Sequence, residues 1–230
     1  MTLIAIPVPG KAKSENLCRA FIKGAPKDAK GFVFYGITYE NLGEYRKVLK
    51  ARADFYTIDN SYFDSVRGQQ YRVTKNAFQV RDARNLKTDG KRFENLNLTL
   101  AAWQNNHHGH WLAVEQSKVF MDCTANDPDW LKSRVRDLPG EVLWRRWSAN
   151  KPVVQTTLPQ DLVGARAVVT YASAAAVTAT LAGVPSIVSA GSALYHMRHD
   201  ERVHFMSVLA DAQYSVSEIE QGAAWKWLSK

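Results

Sequence analysis

The first sixty residues fall into short apolar blocks separated by polar stretches. Residues 3–8 (LIAIPV) predict a strand, residues 14–22 a short helix, and residues 31–37 (GFVFYGI) a second strand. Leu42, Tyr45 and Leu49 recur at helical spacing and predict a helix over 41–51. Residues 54–58 (DFYTI) predict a third strand that ends in Asp59 and Asn60. Strands and helices alternating so closely predict a parallel, doubly wound sheet.

From 61 to about 106 the pattern weakens into polar and charged sequence with scattered aromatics, among them Tyr62, Tyr71, Phe78, Phe93 and Trp103. So long a stretch suits a lid, an acceptor-binding insertion or further short strands rather than one plain loop. Alternation then resumes. Residues 111–116 (WLAVEQ) predict a fourth strand and 127–138 a helix, with Asp127 as N-cap and Pro128 at its first position. Residues 142–147 predict a fifth strand, with Lys151 and Pro152 leading to the next. Residues 167–170 predict a buried strand, 171–173 a tight turn, and 174–182 a helix capped by Ser173. Gly183 ends that helix, Pro185 follows, and residues 186–189 return to the sheet. Helices over 200–213 and 217–227 complete the chain, the last opened by a capping box of Ser217 and Glu220. The expected class is α/β, with a first lobe over 1–108 carrying an insertion at 61–106. A second lobe spans 109–215, and a terminal helix at 216–230 docks on the first lobe through Trp225 and Trp227.

Composition narrows the functional classes. A hydrophobic share of 46% is that of a globular protein, and no run of about eighteen apolar residues predicts a membrane span. The opening residues lack the features of a signal peptide, and Cys18 and Cys123 stand far apart in no metal-binding spacing. Both point to a reduced, cytoplasmic setting. Thirty Lys and Arg against 22 Asp and Glu give a net charge of +8. That balance favours polyanionic partners: nucleic acid, nucleotide sugars or an acidic membrane surface.

Several side chains are placed for chemistry. Asp59, Asn60 and Tyr62 fall at the carboxyl end of the third predicted strand, where clefts form in open α/β sheets. Asp59 there is either a general base or a turn carboxylate that caps the next segment. Arg72, Lys75 and Asn76 lie between Tyr71 and Phe78, either as a basic and aromatic surface for a phosphate backbone or as a half-exposed hairpin. The run NNHHGH at 105–110 offers His110 as an imidazole facing a cleft, His108 and His110 as metal ligands, or simply a polar loop.

The 161–192 segment resembles the donor half of GT-B glycosyltransferases and, more loosely, the UDP-sugar epimerases. Ser173, Ala179, Gly183 and Pro185 match their S-x-x-x-x-E-A-L-x-x-G-x-P pattern, and Thr178 stands where the family usually has Glu. The resemblance implies a compact two-lobed GT-B-like arrangement of Rossmann-like parallel sheets, the first lobe binding acceptor and the second the donor. It implies transfer of a sugar from a nucleotide sugar, UDP-linked, with no metal and no further cofactor. The donor would meet Ser173, Ala174, Ala175 and Thr178, with Ser117 and Ser192 near its diphosphate and Arg145, Arg146 or Lys151 offsetting charge on the leaving group. Asp59 and His110 would be catalytic, and Asn60, Tyr62, Arg72, Lys75 and Asn76 would bind acceptor. The basic charge and small size also resemble phage-type DNA-modifying glycosyltransferases, implying a hydroxymethylated pyrimidine acceptor in DNA and a host-cytoplasmic setting. Transfer to a cell-surface polysaccharide, or non-enzymatic nucleotide binding on a degenerate GT-B fold, are the alternatives.

Overall fold

The computed structural model describes residues 2–124, 127–146 and 156–229. The chain divides into two compact units, Met1–Val80 with Asn85–Gly90 and Val208–Lys230, and Arg81–Arg84 with Lys91–Ser207.

In the first unit β1 (Leu3–Ile6), α1 (Ala12–Lys23), β2 (Gly31–Tyr35), α2 (Leu42–Lys50) and β3 (Phe55–Asn60) follow the predicted alternation, and the three strands are parallel. Register puts Val33 and Tyr56 on one face and Phe34, Phe55 and Thr57 on the other. Phe21 of α1 packs on Tyr56, and Tyr45 of α2 packs on Phe34 and Phe55, so each face carries one helix. The parallel run stops there. β4 (Gln70–Lys75) lies antiparallel to β3, inside the segment expected to be an insertion.

The second unit begins its regular structure with the short α3 (Lys91–Asn95), then β5 (His110–Val114), α4 (Lys118–Thr124), α5 (Trp130–Arg136) and β6 (Val142–Arg145). After the segment at 147–155, which lies outside the described residues, come α6 (Leu158–Leu162), β7 (Ala165–Thr170), α7 (Ala175–Leu181) and β8 (Ser186–Val188). The four strands form an all-parallel sheet in the order β6-β5-β7-β8. Its faces are apolar on both sides: Leu112, Val114 and Val168 pack with Ala175 and Ala179, while Trp111, Ala113, Ala167 and Val169 pack with Leu131 and Val135. Gly183 ends α7 with φ +76°, and its missing side chain leaves room for the Ala102 carbonyl.

α8 (Arg202–Asp211) buries residues on every side, Phe205, Met206, Val208 and Leu209 among them, as a helix apolar all round must. It leads into β9 (Gln213–Ser215), which joins β4 antiparallel and completes the first sheet as β1-β2-β3-β4-β9. The terminal helix predicted over 217–227 is two helices, α9 (Val216–Glu220) and α10 (Ala223–Leu228), because Gly222 turns the chain at φ +82°. The capping box is Ser215 with Glu218, not Ser217 with Glu220. Trp225 stacks on Phe21 at 4.6 Å and donates its indole N–H to the Phe21 carbonyl.

Candidate functional site

A ligand site in an open α/β sheet forms at the carboxyl ends of strands, where neighbouring connections leave in opposite directions. In the second unit that point falls between β5 and β7, since the chain runs from β5 outward to β6 and then returns to the other side of β5. Thr170 at the end of β7 donates its hydroxyl to the Val114 carbonyl at the end of β5, fixing the two strand ends together. Tyr171 is held by its hydroxyl on the Thr124 carbonyl, and its own carbonyl accepts from the Ser189 hydroxyl and amide. Ser173, Ala174, Ser117 and Ser192 are therefore all carried on loops at one edge of this sheet.

The local chemistry at that edge differs in detail from the expectation. The Ser173 hydroxyl accepts the Ala175 amide, and the Ala176 and Val177 amides close tight bonds to the Ser173 and Ala174 carbonyls. Among the described residues the amides of Ser173 and Ala174 remain without a partner. The Ser117 hydroxyl accepts the Phe120 amide and the Ser192 hydroxyl accepts the Leu194 amide, so both serines cap their own turns. Thr178 sits one turn into α7 and is half-buried.

Other expected donor groups are engaged elsewhere. Arg145 pairs with Asp161 at 2.5 Å and donates to the Thr156 carbonyl, which ties β6 to α6. Arg146 is exposed just beyond β6, and Lys151 lies outside the described residues. His110 lies away from these groups. It opens β5 at the amino end, with Nε2 on the Asp161 carbonyl at 3.0 Å. Four residue steps of strand, roughly 13 Å, separate it from Val114 at the ligand-binding edge.

In the first unit the acceptor candidates are mostly structural. Arg72 is 8% exposed and holds Asp59 Oδ2 at 2.5 Å, its guanidinium 5.0 Å from the centre of the Tyr62 ring. Asp59 Oδ1 accepts the Asn60 amide at 2.7 Å, so both carboxylate oxygens are engaged. Asp59 thus acts as a strut between β3 and β4. Tyr62 is fully buried, its hydroxyl accepting the Val80 amide, and burial raises its pKa above that of an ordinary phenol. Lys75 pairs with Asp54 at 2.9 Å. Asn76, at φ +53°, accepts the Phe55 amide and donates to Asp54. The half-exposed basic hairpin is thus a sheet strand whose charged side chains are paired within the sheet, with the buried Arg72 Nε left without a hydrogen-bond partner.

A separate group was not anticipated: Lys13, Tyr35, Asn60 and Tyr71 meet at the carboxyl edge of the first sheet. The signal was a lysine in the first turn after one strand and a tyrosine ending the next. Burial opposes the charge of Lys13, but hydrogen bonding and charge interaction with Tyr35, then Tyr71, outweigh it and lift its pKa.

No family model matches the chain, and no curated protein matches it. Among solved structures it is similar to the beta Kdo 2,4 transferase KpsC of Thermosulfurimonas dismutans. The TM-score is 0.55 at 9% sequence identity, covering 94% of this chain and 92% of that one. At such identity the likeness is one of fold: an α/β chain with a mixed first sheet and an all-parallel second one.

Proposed function

We propose that the chain is a glycosyltransferase that moves a sugar from a nucleotide-activated donor to a saccharide acceptor, of the kind found in cell-surface polysaccharide. The observation carrying this reading is the likeness to a Kdo transferase over nearly the full length of both chains. Because one fold serves many chemistries, the site must supply the rest. The β5/β7 strand ends offer the edge where this architecture takes nucleotides. The finer reading is a two-lobed GT-B enzyme with the donor on the second unit, near Ser117, Ser173, Ala174, Ala175, Thr178 and Ser192.

In the reaction the acceptor oxygen bonds to the anomeric carbon as that carbon's bond to the nucleotide phosphate breaks. The acceptor's proton leaves to a base, and the phosphate departs as an anion. Exposed Arg146 stands at the carboxyl end of β6, where a cation offsets that charge. A DNA acceptor finds no support in the fold likeness, and Arg72, Lys75 and Asn76, the basic and aromatic surface offered for a phosphate backbone, are engaged within the first sheet.

Calorimetric titration with a panel of nucleotide sugars, UDP-linked ones included, tests the reading. The intact chain binds at least one and transfers its sugar to an oligosaccharide. Ser173→Tyr, which fills the β7–α7 turn, loses binding while its unfolding midpoint stays in place. A chain that binds no nucleotide sugar contradicts the proposal.

A further inference from the structure

Register places Tyr35 beside Ile58, and Asn60 opposite Tyr71, so Tyr35, Asn60 and Tyr71 share one face at the carboxyl edge of the first sheet. Lys13, in the first turn of α1, lies on the same face. Its Nζ is 5.4 Å from the centre of the Tyr35 ring and 4.9 Å from that of Tyr71. The rings meet edge to face at 6.0 Å. The Tyr71 hydroxyl donates to the Gly68 carbonyl at 2.9 Å, and the Tyr35 hydroxyl donates to Asn60 Oδ1 over a long 3.4 Å. Gly36 follows Tyr35 at φ +62°, and a side chain there would meet nothing within 4 Å, so space stands open beside the cluster.

The lysine charge at this place is not ion-paired, and Asp59, the carboxylate whose charge reaches Tyr35, is itself held by Arg72. Lys23, Lys47, Lys75 and Lys132 each hold a carboxylate, whereas Lys13 has none within pairing distance among the described residues. Asp59 points to the other face of β3 and is held by Arg72. Glu40 interacts with Lys11, and Glu15, two positions along α1, faces away from Lys13. The Asn60 Nδ2 group likewise has no partner among the described residues.

We propose that Lys13, Tyr35, Asn60 and Tyr71 bind the anionic group, carboxylate or phosphate, of an acidic saccharide. Lys13 supplies the charge, the Asn60 amide donates a hydrogen bond, Tyr35 turns its single hydroxyl proton from the long contact with Asn60 Oδ1 onto the anion, and Tyr71 seats the lysine. Taking that saccharide as the acceptor rests on the glycosyltransferase reading above; the anion site itself does not.

The test is titration of the full chain with glucuronate, glucose 6-phosphate and neutral glucose, followed by calorimetry or saturation-transfer NMR. The intact chain prefers at least one acidic sugar over glucose by about tenfold, the size expected of one charge-assisted contact. Preference for glucuronate alone assigns a carboxylate, for glucose 6-phosphate alone a phosphate, and for both an oxyanion of either kind. Lys13→Met erases the preference, Lys13→Arg keeps part of it, and Tyr35→Phe weakens it. Absence of any preference in the intact chain, or its survival in Lys13→Met, overturns the proposal. The same proteins are titrated with nucleotide sugars. If charge preference depends on Lys13 yet no nucleotide sugar binds, the anion site stands and the transferase reading falls.

Discussion

The second sheet is parallel throughout and apolar on both faces, whereas the first changes to antiparallel at β4 and buries polar groups across that junction. In the second, cohesion comes from packing: Leu112, Ala113, Val168 and Val169 are all essentially inaccessible to solvent. In the first, Thr57 and Thr74 face each other across β3 and β4 with their hydroxyls 2.6 Å apart, both within reach of the Ala77 carbonyl. Asp59 and Arg72 form the next couple on the same face. The parallel sheet therefore fails where volume changes, and the mixed sheet where one member of a polar couple is removed.

The largest effect expected on this contrast is Gly183→Ala. The new methyl would collide with the Ala102 carbonyl at a φ that only glycine adopts cheaply. A loss of about 3 kcal/mol or more follows, read by chemical denaturation. A loss below about 1 kcal/mol would mean the second unit is packed less tightly there than described.

Next is Asp59→Ala, which strands the buried Arg72 guanidinium. Breaking a fully buried pair costs roughly 3–5 kcal/mol, and with the Asp59 side chain 29% exposed the cost here sits at the low end, about 3 kcal/mol or less. Asp59→Asn keeps an acceptor for Arg72, so it destabilises less and, if Asp59 is a strut, leaves sugar transfer intact. Loss of turnover in a stable Asp59→Asn protein would restore Asp59 as a base.

The smallest effect is a pH dependence. Burial pushes the Cys18 thiol up to about 12, against a weaker opposing influence from the Tyr35 backbone. The folded chain holds the thiol protonated while the unfolded chain ionises it at ordinary thiol pH. Stability from this group is therefore complete below the ordinary thiol range and declines as pH rises toward about 12. Cys18 in the folded protein should resist alkylation at pH 8, and rapid alkylation there would show that α1 opens from β2.

How much of this was legible depended on whether a strand's burial follows its hydrophobicity. Residues 111–114 and 167–170 announce their strands because nearly every side chain is apolar and buried. β4 was offered only as a half-exposed hairpin because the face it shares with β3 is polar: Arg72 and Thr74 read as solvated when they are buried and paired. β9 escaped because three residues leaving a helix carry no period of their own. The turn at Ser173 was visible in its letters, but the use of its hydroxyl on Ala175 was not. The place of His110 at the amino end of β5 was not legible, because a sequence gives a residue's place along a strand only after the strand's start is known. The Lys13 cluster unites residues as far apart as 13 and 71, which only the register of β3 on β4 brings together.

Hydrogen–deuterium exchange with and without a bound nucleotide sugar tests the central claim most directly. The account predicts protection concentrated in the loops at 115–117 and 171–175, at the ends of β5 and β7. Protection confined to other segments, with these two loops unchanged, would contradict it.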